Sequence, residues 1–172
     1  MEINSERLEV RELNIADITD LKAIFQDSNL MKYWQENLSE IEVFEWYEKQ
    51  LKAYPESGFY ALQNKNNREI VGIFGLIKKI DNKRYVFEIE LAIMSKYQNR
   101  GFADEALDLF SDYLKRNEIK EVWMTIREDN EKCLNLAKKH GFKVISKEII
   151  TINEGKIMNY IYAKDLSNRF NI

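Results

Sequence analysis

Tyr97-Gln98-Asn99-Arg100-Gly101-Phe102-Ala103 follows a strand-like segment and opens a helix-like one. A loop in that place can aim several backbone N–H groups at one anion, and the helix behind it adds unpaired donors and a partial positive charge. Gly101 permits close backbone approach or an unusual φ. Ala103 is too small to block a bound group, and Arg100 brings a full positive charge. The pattern reads as a pyrophosphate cradle. A loop that merely joins strand to helix is the plainer reading of the same residues, because a short glycine motif is weakly specific.

Upstream of this loop, Arg84 to Met94 reads as the third strand of a meander. Its other members are Gly58 to Gln63 and Glu69 to Lys78, with turns at Asn64 to Arg68 and Asp81 to Lys83. Further upstream, Arg7 to Leu13 alternates as a first strand. Ile18, Leu21, Ile24 and Phe25 recur at helix spacing, and Leu30 to Trp34 is short and irregular or helical. Ser39 and Glu42 form a capping box for a helix that stops near Pro55. Downstream, Ala103, Ala106, Leu107, Phe110 and Leu114 share one face of a helix running from Gly101 to about Asn117. Glu121 to Ile126 is a strand. Asn130 to His140 is a helix with Gly141 at C′. Phe142 to Ile152 and Ile157 to Ala163 are strands joined by a tight turn at Asn153 to Lys156. The order β-α-α-β-β-β-α-β-α-β-β is α/β with a mixed, mostly antiparallel sheet, and 1–172 reads as a single domain.

Bulk properties narrow the chemistry. The 172 residues carry 45% hydrophobic and 32% charged side chains and one Pro, which suits one folded domain. The net charge of -3 and the lack of a long basic run exclude nucleic acid as the expected partner. One Cys rules out an internal disulfide, and one His leaves no ordinary zinc site, so no metal is expected. His140 lies two helical turns from Cys133, about 10 Å of rise, too far for a Cys–His nucleophile pair on one helix. No signal segment and no membrane span are visible, so the expected location is cytoplasmic.

Gln98-x-x-Gly101-x-Ala103 matches the Q/R-x-x-G-x-G/A signature of GNAT-family N-acetyltransferases. Arg7 to Arg11 resembles the family's opening strand, Phe87-Glu88-Ile89-Glu90 the strand before the CoA loop, and Asp129-Asn130 with Lys139-His140-Gly141-Phe142 a later helix and its exit. The set covers nearly the whole chain in the family's order and is most similar to the RimJ/RimL-type branch. Within it, Met31-Lys32-Tyr33-Trp34, Tyr97-Gln98 and Asp129 to Lys132 resemble bacterial spermidine N-acetyltransferases. The resemblance implies the GNAT (acyl-CoA N-acyltransferase) fold, with a sheet splayed at the cofactor site and flanked by helices. It implies acetyl-CoA as co-substrate, its pantothenate arm on the backbone of Leu91, Ala92 and Ile93. It further implies the pyrophosphate on Gln98, Asn99, Arg100, Gly101, Phe102 and Ala103, and an arm contact from Asn130. Relatives often pair through the C-terminal strands, which implies a possible homodimer or higher homo-oligomer.

Amide formation needs a neutral amine, and a free alkyl amine has a pKa of about 10.4, so the site must remove a proton. Strand alternation puts Val86, Glu88, Glu90 and Ala92 on one face and Phe87, Ile89, Leu91 and Ile93 on the other. The apolar face reads as core and the Glu88 face as open to an acceptor cleft. Glu88 is the candidate base, and the resemblance places a family carboxylate there. Two solvated glutamates are the bland alternative. The tyrosine acid of many relatives falls on Ala137, so the acid is absent there. Cys133, where some relatives carry Ser, is the candidate proton donor; a small buried hydrophobe is its alternative. Trp34, Glu36 and Glu90 are candidate acceptor-binding residues, with Trp34 and Glu36 also readable as packing and surface residues. The resulting expectation is acetyl transfer to a primary amine, either a small-molecule amine or polyamine or a protein N-terminus. A non-catalytic acetyl-CoA-binding or interaction module is the alternative.

Overall fold

The computed structural model describes residues 3–34, 37–53, 57–82, 84–152 and 155–167. Pro55, Glu36 and the turn residues Asn153 and Glu154 lie outside them. The strands are β1 (Ile3–Asn4), β2 (Leu8–Glu12), β3 (Gly58–Asn64), β4 (Ile70–Asp81), β5 (Arg84–Ile93), β6 (Glu121–Arg127), β7 (Lys143–Ile152) and β8 (Gly155–Asp165). The helices are α1 (Ile18–Phe25), α2 (Ser28–Met31), α3 (Glu40–Ala53), α4 (Phe102–Arg116) and α5 (Glu131–Lys139). The strands hydrogen-bond in the order β1-β2-β3-β4-β5-β6-β8-β7. Two short elements had no pattern to announce them: the two-residue β1, and a 3₁₀ turn at Ile15–Asp17 held by an Asn14–Asp17 capping box.

The chain divides into two compact units: Met1–Ile77 with Glu90–Leu109, and Lys78–Ile89 with Phe110–Ile172. In the first, Leu8, Val10, Leu21, Ile24, Phe25, Phe74 and Leu107 are fully buried. Arg11 crosses from β2 to the buried Asp17 in a two-pronged pair of 2.7 and 2.8 Å, which ties β2 to the turn before α1. The expected Ser39–Glu42 capping box is present, with Ser39 N–H donating to Glu42 at 2.7 Å. On β4, Leu62 pairs with Gly72 but Gln63 with Ile70, so Val71 is the extra residue of a bulge. A Cβ on Gly72 would lie 2.1 Å from the Ala92 carbonyl oxygen. No other residue fits where β4 crosses this end of β5.

In the second unit, β6, β8 and β7 form an antiparallel ladder, and β6 joins β5 in parallel. Among the described residues that parallel ladder has two pairs, Phe87 with Val122 and Glu88 with Trp123. α5 ends as expected in a left-handed Gly141, with Phe142 N–H on Ala137 C=O and Gly141 N–H on Lys138 C=O.

One expectation is corrected. Glu88 is not a solvated residue on an open face: Val86, Glu88 and Ala92 are buried and Glu90 on the same face is half-buried, while Ile89 and Ile93 are buried on the opposite face. β5 is an interior strand of the sheet, between β4 and β6.

Candidate active site

In the first unit, β5 ends at Ile93, and a 3₁₀ turn over Ser95–Tyr97 leads into the loop. Asn99 (φ 59°) and Gly101 (φ 81°) both take left-handed backbone, on either side of the exposed Arg100. Asn tolerates that region and Gly favours it. α4 begins at Phe102, and the N–H groups of its first turn have no intrahelical partner. Phe102 is buried edge-on against the buried Tyr97, with ring centroids 5.9 Å apart, so the loop is pinned at both ends. Gln98 Nε2 donates to the Ile93 carbonyl at 3.0 Å. Its amide therefore ties the loop to the end of β5.

Arg7, at the entry to β2, also holds this loop. Its Nη1 donates to the Arg100 carbonyl at 2.9 Å, and its Cζ lies 4.6 Å from the Phe102 ring centroid. Its Nε donates to Glu105 Oε2 at 2.7 Å, and its backbone N–H donates to Glu105 Oε1 at 3.0 Å. Ser5 completes the set by donating to Glu105 Oε1. Burial would raise the Glu105 carboxyl, but the Ser5 and Arg7 donors outweigh it and hold the group below the ordinary glutamate range.

The same unit joins two of the expected acceptor residues. Trp34 Nε1 donates to Glu90 Oε2. The Trp34 ring stacks on Phe25 (5.6 Å) and tilts against Phe59 (5.5 Å), and Trp46 packs on both of those rings. A carboxylate at the rim of an aromatic cluster suits a cation. Glu36 lies outside the described residues.

In the second unit, Glu88 is 4% exposed and ion-paired through Oε2 with Lys79 of β4. Asn130 is the N-cap of α5, its Oδ1 accepting the Cys133 N–H at 3.2 Å. Cys133 is half-buried, and desolvation pushes its thiol up to about 11. Ala137 is fully buried and offers no proton to donate.

A family model described as an acetyltransferase (GNAT) domain matches residues 7–143. The chain belongs to the GNAT acetyltransferases. This GNAT domain is 26% identical over 127 residues to N-alpha-acetyltransferase 30 of Saccharomyces cerevisiae, covering 72% of each chain. Its fold is similar to that of a GNAT-family acetyltransferase from Bacillus anthracis, at a TM-score of 0.85 and 21% identity, covering 96% of this chain and 99% of that one. It is also similar to spermidine N-acetyltransferase from Vibrio cholerae in complex with CoA and spermine, at a TM-score of 0.82 and 20% identity, covering 94% and 97%. At those identities the structural likeness speaks for the fold.

The expected loop residues of the GNAT domain thus lie together, as do Trp34 and Glu90, and Asn130 and Cys133. Arg7, Glu105 and Lys79 were not among the expected site residues. Arg7 and Glu105 are 98 residues apart, and no spacing rule links them. Among the described residues no group of three His, Cys, Asp or Glu side chains is placed to hold a metal ion, and no helix is long and apolar enough to cross a membrane.

Proposed function

We propose that this GNAT domain transfers the acetyl group of acetyl-CoA to a primary amine by direct attack, the acceptor being a small cationic amine or polyamine or a protein N-terminus. The observation that carries this reading is the loop Gln98–Ala103. Two left-handed residues leading into the α4 N-terminus make a backbone site of the kind a diphosphate occupies. The fit to CoA rests on the same place: Gly101 takes a left-handed conformation that strains any other residue, and a Cβ there would press on Arg7 Nη2 at 3.3 Å. The backbone of Leu91, Ala92 and Ile93 would bind the pantetheine arm, and the family resemblance gives Asn130 an arm contact as well. Glu88 would take the amine proton, directly or through water. The Cys133 thiol is too weak an acid to serve the leaving thiolate, so it packs and solvent supplies that proton.

Support for a cationic acceptor comes from Glu90 beside Trp34, and from relatives whose names include spermidine and N-alpha-acetyltransferases. The missing tyrosine at Ala137 favours a second reading, a domain that binds acetyl-CoA without turnover. Thiol release from acetyl-CoA, followed across polyamines, aminoglycosides, amino acids and ribosomal-protein N-terminal peptides, separates the two. Steady release with one class supports transfer. Tight CoA binding without release across the panel supports the binding module. Gly101→Glu abolishes CoA binding in either case, and unchanged affinity refutes the cradle.

A further inference from the structure

The Arg100 carbonyl and the Gly101 N–H belong to one trans peptide unit and point in opposite directions. Arg7 holds that carbonyl through Nη1. The Gly101 N–H is therefore directed away from Arg7, and the peptide cannot flip without breaking the bond. Asn99 and Gly101 sit in left-handed backbone, where an exposed loop would otherwise sample other states. A second consequence concerns charge. Glu105 lies in the first turn of α4, where its negative charge would repel an anion bound at the helix N-terminus. Its two oxygens are instead taken by Ser5, the Arg7 backbone and the Arg7 guanidinium, with Nη2 2.6 Å from Oε2.

We propose that Arg7 is a positioning residue for acetyl-CoA, which aims the Gly101 amide and neutralises Glu105 so that the loop is built for a diphosphate before the ligand arrives. The inference rests on the reading of Gln98–Ala103 as the diphosphate site. Preorganisation of this kind acts on affinity by removing an ordering cost from binding. It acts only on ligands that carry the diphosphate.

The test compares dissociation constants of the full-length protein for CoA, by calorimetry, and for pantetheine, by ligand-observed NMR. Pantetheine keeps the thiol arm and lacks the diphosphate and nucleotide. Arg7→Ala weakens CoA binding at least about tenfold more than pantetheine binding. Arg7→Lys, which keeps the charge but not the forked geometry, falls between wild type and Arg7→Ala. Equal weakening of both ligands, or no weakening of CoA, overturns the proposal, because a merely structural role moves both constants together. Should Arg7→Ala fail to fold, Arg7→Lys is judged by the same ratio, a shift of at least about threefold being required. A wild-type protein that binds CoA no better than pantetheine would instead overturn the diphosphate reading of the loop itself.

Discussion

The half-buried Cys133 thiol and the buried Glu88 carboxylate carry opposite messages. Cys133 has a thiol raised to about 11 by desolvation. At pH 8 its thiolate fraction is about 0.001, against about a quarter for an ordinary cysteine. Alkylation by iodoacetamide at that pH is therefore about two-hundredfold slower than for a free thiol of equal thiolate reactivity, measured by mass spectrometry, and Cys133→Ala leaves turnover within about twofold. A collapse of turnover would restore the thiol to the chemistry. Glu88, by contrast, is buried and ion-paired with Lys79, which fixes the carboxylate in place. A positioned base contributes about 10²- to 10⁴-fold. Glu88→Gln lowers kcat about 100-fold at neutral pH, and the gap narrows as rising pH supplies neutral amine from solution. A parallel pH–rate profile for the two proteins would remove Glu88 from the mechanism.

At the level of elements, helix ends show what local chemistry controls and where it is compromised. α5 stops on Gly141, which adopts left-handed backbone at no steric cost. α4 stops in the same hydrogen-bond pattern, with Ile119 N–H on Leu114 C=O and Glu118 N–H on Lys115 C=O, but the left-handed residue is Glu118 at φ 60°. A β-carbon in that conformation costs about 1–2 kcal/mol, partly offset by the extra unfolded-state entropy of glycine. Glu118→Gly stabilises the protein by about 0.5–1 kcal/mol, read as a rise in Tm of about 1–4 °C. An unchanged or lower Tm would mean that the exposed turn carries no strain. The strands follow the same logic: the meander and the C-terminal hairpin were legible because alternation and turn residues are local. β1 was not, because two residues carry no period, and the bulge at Val71 was not, because register is a property of pairs of strands.

For the molecule as a whole, acid stability depends on carboxylates that folding makes more acidic. Glu105 is such a group. Its folded pKa lies below its unfolded value of about 4.3, so the unfolded state binds more protons as pH falls. The stabilisation is present above that value and is lost as pH falls through the folded pKa. Urea unfolding at pH 7 and pH 3.5 shows a smaller loss of stability for Glu105→Gln than for wild type. Equal losses would mean that the Ser5 and Arg7 contacts do not persist in solution. The loop motif, the order of strands and helices, and through them the GNAT family were readable from the chain alone, since each is a pattern within a few turns or a few residues of backbone. The burial of Glu88 between β4 and β6, its Lys79 counter-ion, and the Arg7–Glu105 clasp on the loop were not. They join residues brought close by chain reversals and strand order, and no local periodicity encodes which distant charge a fold will set beside another.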